Sequence, residues 1–208
     1  MKLSNNRDNR IVGFDIDGVL TDELAGGVNI WQQEVEAYFP GLELLEPSFA
    51  FTTAYGLSPA KVDEFMEARA NAIFSKVPAQ IGCKELLDGL VEMDFTIHLI
   101  TARDECYKEV TKEWLERHDL PYAGLWFQES KGVLCRSLGI EVFVDDYWEN
   151  CVDIRNHGVV SLLMSAHHNL TCSADEGIHR VENWQEIDVF TTAHYGLDMD
   201  NWLQISGA

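Results

Sequence analysis

IVGFDIDGVLTD, residues 11–22, is the stretch from which the fold can be read. Ile11 to Phe14 are apolar and β-prone, and they run directly into an acidic turn that contains glycine, Asp15-Ile16-Asp17-Gly18. This is the pattern of a short buried strand that ends in a loop. Two carboxylates two residues apart on such a turn can point into one site, where their repulsion is tolerated only if a cation or a shared proton offsets it.

The same pattern recurs twice downstream. Phe95 to Ile100 is a second apolar run ending at Thr101-Ala102-Arg103, and Glu141 to Val144 is a third, ending at Asp145-Asp146. Helical spacing lies between them: Leu86, Leu87, Leu90 and Val91 precede the second run, and Tyr107, Val110, Trp114 and Leu115 follow it, with Asp104 placed as an N-cap. Alternating strands and helices predict an α/β fold, a doubly wound, Rossmann-like and mostly parallel sheet with right-handed crossovers. Ligands of such sheets bind beyond the carboxyl ends of the strands, and all three polar clusters fall at that edge.

Residues 23–81 interrupt the alternation with two helix patterns and no convincing strand. Trp31, Val35, Tyr38 and Phe39 share one helix face; Ser58-Pro59 has the signature of a helix start, continued by Val62, Phe65, Met66, Arg69 and Ile73. The expected organisation is a catalytic core of residues 1–22 and 82–208 with a small helical cap, 23–81, inserted after the first strand. Gly26-Gly27 on one side and Pro78 with Gly82 on the other are candidate joints. At 208 residues the chain is long enough for one main domain and a small appended module.

With 15 Lys and Arg against 35 Asp and Glu, the formal net charge is -20. Such a field repels nucleic-acid polymers and anionic membrane surfaces. A small phosphate ester is still an admissible ligand, because local cations decide the matter within about 8 Å at physiological salt. The five cysteines, Cys83, Cys106, Cys135, Cys151 and Cys172, form no C-x-x-C pair and read as free thiols. With a polar N-terminus and no apolar stretch long enough to span a membrane, the expectation is a soluble, cytoplasmic protein. A homodimer is left open.

Hard oxygen ligands without a matching His or Cys set favour magnesium over zinc, and Asp145-Asp146 would supply the oxygens that the first turn lacks. One carboxylate can then attack phosphorus to give an aspartyl phosphate while a second protonates the leaving oxygen and later activates water. The Thr101 hydroxyl, nearby backbone amides and a lysine would serve the phosphoryl oxygens; Lys131, after Ser130 at the start of a helix pattern, is the candidate, with Lys84 and Lys108 as alternatives.

Asp15-Ile16-Asp17-Gly18-Val19-Leu20-Thr21-Asp22, Ile100-Thr101-Ala102-Arg103, Lys131 and Val144-Asp145-Asp146 resemble, in order and spacing, the four motifs of the haloacid dehalogenase-like (HAD) phosphohydrolases. The resemblance spans roughly residues 10 to 187, and the helical insert lies at that family's cap position. Ala54-Tyr55-Gly56-Leu57, the segment from Trp114-Leu115 to Leu120-Pro121-Tyr122, and Arg180-Val181-Glu182-Asn183-Trp184 further resemble the 5'(3')-deoxyribonucleotidases and their bacterial relatives. The resemblance implies Asp15 as nucleophile and Asp17 as acid and base, the latter also ligating magnesium through its backbone carbonyl. It implies Thr101, Ala102 and Lys131 as phosphate contacts. Asp15, Asp17 and one or both of Asp145 and Asp146 would hold Mg2+. The second aspartate disfavours dehalogenation. The implied substrate is a small phosphomonoester, foremost a nucleoside or deoxynucleoside monophosphate; a sugar phosphate, or nucleotide binding without turnover, are the alternatives.

Other residues carry plainer readings. Arg103 could contact the phosphate or a cap carboxylate, but an exposed arginine describes it equally well, and it stays outside the catalytic set. Trp31, Phe49, Phe51, Tyr55 and Phe74 could stack on a base, though packing inside the cap explains most of them. His98 reads as a satisfied strand histidine, and His167, His168 and Cys172 as a loop.

Overall fold

The structure, a computed structural model, describes residues 10–172 and 177–197. The expectations for the first nine residues, and for the tail beyond 197, lie outside the described residues. Among the described residues the chain runs β1 (Ile11–Phe14), α1 (Ile30–Tyr38), α2 (Phe51–Ala54), α3 (Pro59–Lys76), α4 (Cys83–Glu92), β2 (Thr96–Thr101), a 3-10 turn (Glu105–Tyr107), α5 (Lys108–Arg117) and β3 (Gly124–Phe127). It continues through α6 (Gly132–Leu138), β4 (Val142–Asp145), α7 (Trp148–Asn156), β5 (Val160–Met164), β6 (Ile178–Val181) and α8 (Trp184–Tyr195).

The six strands form one sheet in the order β3-β2-β1-β4-β5-β6, and every pairing is parallel. The three strands read from sequence are β1, β2 and β4, neighbours at its centre. Gly13 pairs with His98 on one side and Phe143 on the other. Strand order reverses between β1 and β4, and a crevice opens at such a switch point beyond the strand ends. The loops after β1, β2 and β4 therefore converge there.

Both sheet faces are covered, which is why the central strands are continuously apolar. Val12, Phe14, Leu99, Val142 and Val144 pack with Leu86, Leu87 and Leu90 of α4, Trp114 and Leu115 of α5, and Trp184 and Ile187 of α8. On the opposite face Ile100 and Phe143 meet Cys135 of α6 and Ile154 of α7. Val91 departs from expectation: it is 46% exposed, because α4 presents Leu86, Leu87 and Leu90 to the sheet and turns Val91 away.

The inserted helices have their own apolar cluster, with Val35, Ala54, Tyr55, Leu57, Phe65 and Ile73 buried together. Ser58 precedes Pro59 at the start of α3, but its side chain makes no capping hydrogen bond. The chain entering the insert and the chain leaving it pair with each other: Thr21 and Ala79 form an antiparallel bridge, Asp22 N–H donates to Pro78 O at 2.8 Å, and Gln80 N–H donates to Leu20 O at 2.8 Å. Helix α3 also leans on α5. Trp114 Nε1 donates to Val77 O at 2.6 Å, Arg117 Nη1 to Ser75 O at 2.5 Å, and Tyr107 Oη to Met66 O at 3.4 Å.

Candidate active site

The turn after β1 is fixed by its own backbone. Asp15 N–H donates to Val144 O at 2.9 Å, and Leu20 N–H and Thr21 N–H both donate to Ile16 O. Thr21 Oγ1 accepts from Gly18 N–H at 3.0 Å, and Asp15 Oδ1 accepts from Ile16 N–H at 2.7 Å. Gly18 is required twice over: its φ is +69°, and a Cβ there would collide with the Asp146 carboxylate. The turn is braced from below by Trp184, whose Nε1 donates to Val19 O at 3.0 Å while its ring stacks on Phe14 at 5.3 Å.

Lys131 is fully buried at the start of α6, and its Nζ lies 2.8 Å from Asp15 Oδ2 and 2.7 Å from Asp145 Oδ2. Asp145 is held further by Tyr147 N–H at 2.9 Å and by the Asn150 amide at 3.2 Å from both carboxylate oxygens. Asp146 O accepts from Asn169 Nδ2 at 2.7 Å, with His168 Nε2 3.1 Å away. Arg180 in turn locks Asn169, contacting Asn169 Oδ1 and the carbonyls of Asn169 and Cys172. Part of the Arg180 to Trp184 stretch singled out from sequence thus braces two of the loops that form the site.

Asp15, Asp145 and Asp146 bring one carboxylate oxygen each within 4.8 Å of one another, all three residues buried. Burial pushes the Asp15 carboxyl up to about 7, opposed by Lys131 and reinforced by the charges of Asp145 and Asp17. Asp146 is likewise raised well above the usual carboxylate range, by burial first and then by Asp145 and Asp15. Lys131 is raised as well, for the opposite reason: burial lowers it, but Asp145 and Asp15 outweigh burial and hold it above its ordinary value. Three buried carboxylates facing one ammonium are short of positive charge, and their donors are all hard oxygens. This set fits a divalent cation of the magnesium kind.

Asp17 stands apart from that trio. Its carboxylate is gripped by Arg103, with Nε–Oδ2 at 2.8 Å and Nη2–Oδ1 at 2.6 Å. That grip does not involve its backbone carbonyl, the atom through which the family resemblance implies metal binding. Thr101 is fully buried at the end of β2, its Oγ1 accepting from Arg103 N–H at 3.2 Å, and Ala102 is exposed beside it.

Four neighbours escaped the sequence reading. Arg103, for which an exposed arginine and a contact to phosphate or a cap carboxylate were equally good readings, is buried, with its side chain 1% exposed. His168 was expected to belong to a plain loop; that loop folds back so that His168 and its neighbour Asn169 both reach Asp146 O. Glu23, half-buried at the entry to the insert, accepts from Trp31 Nε1 at 2.9 Å, and burial together with the Asp17 charge pushes it up to about 7. No local pattern marks these residues, since only the tertiary fold sets where their side chains point. Of the five aromatics, Trp31 packs on Phe51 and Phe74 within the insert, and Tyr55 is buried there. Phe49 differs: it is 51% exposed, stacks on Tyr147 at 4.4 Å and meets His168 edge-on at 5.6 Å.

A doubly wound sheet with acidic loops after its two central strands, a buried lysine between them and a helical insert after the first strand defines a phosphatase of the HAD-like class. The chain belongs to a particular family within it, the 5' nucleotidase, deoxy (pyrimidine), cytosolic type C protein family (NT5C), whose model matches residues 9–194. It is 23% identical over 178 residues to a nucleotidase of Clostridium acetobutylicum, covering 84% of this chain and 89% of that one. Among solved structures, a HAD-superfamily hydrolase from Geobacter sulfurreducens superposes with a TM-score of 0.55 at 17% identity, over 91% of this chain and 99% of its own. A β-phosphoglucomutase from Clostridium difficile gives 0.57 at 12% identity, over 91% and 100%. These superpositions speak for the fold alone.

Proposed function

We propose that the protein hydrolyses nucleoside or deoxynucleoside monophosphates by a magnesium-dependent route through an aspartyl phosphate on Asp15. The observation that carries this reading is Lys131 held between Asp15 and Asp145, with Asp146 completing a buried carboxylate cluster. Residues 23–81 act as the cap, residues 1–22 and 82–208 as the core, and the enzyme works in the cytoplasm.

Asp15, the carboxylates of Asp145 and Asp146, and the Asp17 carbonyl would hold Mg2+. When bound, the ion supplies a hard positive charge that keeps these carboxylates ionised and neutralises phosphoryl oxygens. Asp15 attacks phosphorus, and the P–O bond to the nucleoside breaks. Asp17 gives its proton to the departing oxygen. In the second step Asp17 takes a proton from water, whose oxygen attacks phosphorus, releasing inorganic phosphate and freeing Asp15. Lys131, the Thr101 hydroxyl and the Ala102 backbone amide hold the phosphoryl oxygens.

For the substrate, the family to which the chain belongs points to nucleotides, and Phe49 with Tyr147 offers exposed ring surface at the junction of insert and core, suited to a base. The test is phosphate release from a panel of deoxynucleoside, nucleoside and sugar monophosphates with Mg2+. Nucleoside monophosphates should give the highest kcat/KM, and Asp15→Asn should remove turnover. Preference for a sugar phosphate would overturn the substrate assignment, and undiminished turnover by Asp15→Asn would overturn the mechanism.

A further inference from the structure

We infer that Arg103 is the positioning residue for Asp17, and that the insert reaches the proton carrier through it. The inference rests on the reading of Asp17 as acid and base.

The guanidinium is fixed from several directions. Nε and Nη2 form a fork on the two Asp17 oxygens, at 2.8 and 2.6 Å. Nη1 donates to Thr111 Oγ1 at 3.0 Å. That hydroxyl gives its own proton to Tyr107 O at 2.8 Å, which leaves a lone pair aimed at the arginine. The Arg103 backbone N–H is tied to Thr101 Oγ1 at 3.2 Å. The Phe74 ring lies over the guanidinium face, 3.8 Å from Cζ to centroid. Enclosed in this way, with its side chain 1% exposed, Arg103 is not placed to receive a phosphate; the cation against the reacting carboxylate is Lys131.

A planar fork on both oxygens fixes the plane and direction of the partner carboxylate, which a single lysine contact does not do. Asp17 keeps 27% of its side chain exposed, so the grip comes from the buried side and leaves the carboxylate an open edge. A proton carrier needs that directional control, because it must stay within hydrogen-bond reach of the ester oxygen in one step and of water in the next. Phe74 sits near the end of α3, packed edge-on against Trp31 at 5.5 Å and against Tyr107 at 5.1 Å. A shift of the insert therefore moves the lid on Arg103, and with it the orientation of Asp17.

A structural ion pair would hold the same contacts but would not discriminate between leaving groups, and the experiment turns on this difference. The kcat/KM of Arg103→Met and Arg103→Lys is measured on a deoxynucleoside monophosphate, whose alkoxide must be protonated as it leaves, and on p-nitrophenyl phosphate, whose phenolate need not be. The ratio of the two should fall roughly 10- to 100-fold in Arg103→Met, the range expected when a catalytic group is misplaced by about 1 Å. Arg103→Lys keeps the charge without the fork and should show a smaller fall in the same ratio. Asp17→Asn should show the selective loss in full, and adding Arg103→Met to it should lower the ratio no further. If both Arg103 variants lose both substrates equally while Asp17→Asn is selective, Arg103 is structural and the inference falls. If Asp17→Asn itself is unselective, the assignment of Asp17 as acid fails first, and the inference with it.

Discussion

Replacing Asp15 with asparagine should abolish turnover and, in the absence of metal above neutral pH, make the protein more stable. Asp15 is buried beside Asp145 and Asp17, and its carboxyl is raised from 3.8 to about 7 in the folded chain. A carboxyl raised on folding gives stability that is fully present below its unfolded value, near pH 4, and is lost as pH rises through about 7. At pH 8 the ionised form would cost up to about 4 kcal/mol by the conversion of 1.36 kcal/mol per unit. Asparagine removes that cost, in which the attraction of Lys131 is already counted. Lys131 keeps Asp145 at 2.7 Å, so it is not left unpaired. The gain is then up to about 4 kcal/mol, or up to roughly 8–16 °C in Tm for a chain of this size. The assay is urea and thermal unfolding in a chelator at pH 5 and pH 8, with phosphate release followed in parallel in Mg2+. Wild type should lose stability between the two pH values while Asp15→Asn changes less. Equal or lower stability of the variant at pH 8 would refute the claim that the cluster is short of positive charge.

Lys131→Met should do the reverse, leaving Asp15 and Asp145 buried against each other: about 3–5 kcal/mol less stable without metal by urea unfolding, and on the order of 100-fold lower in kcat. Gly18→Ala forces a side chain into a left-handed position against the Asp146 carboxylate. It should cost roughly 1–2 kcal/mol in thermal unfolding and weaken Mg2+ binding by calorimetry about tenfold, by displacing that ligand.

What can be read from sequence follows the range of the forces involved. β1, β2 and β4 were readable because each is an apolar run cut off by polar residues, a contrast confined to a few neighbours. β3, β5 and β6 were not named: β3 is four residues of a half-exposed edge, and β6 alternates, with His179 turned outward. Helical spacing located α4 but not its rotation, which decided that Leu90 is buried and Val91 exposed. At the site, Asp15, Lys131, Asp145 and Asp146 meet because the strand order brings three loops together, and the motif order encodes that. Arg103 lies beside a motif residue and was passed over, since burial of an arginine depends on Phe74 and Thr111, 29 residues before it and 8 after it in the chain.

Charge ties the readable and unreadable parts together. Asp15, Asp17, Asp145 and Asp146 converge where the described structure brings two close cations, Lys131 and Arg103, and Arg103 is already committed to Asp17. A chain of net charge -20 supplies no general attraction for a phosphate dianion either. The centre therefore carries a surplus of about two negative charges, which one divalent cation offsets. Without that cation the same carboxylates strain the fold and repel the ligand. Natural sequences keep such costly groups where function needs them, so a residue whose removal should stabilise the metal-free protein is also the one assigned to attack phosphorus.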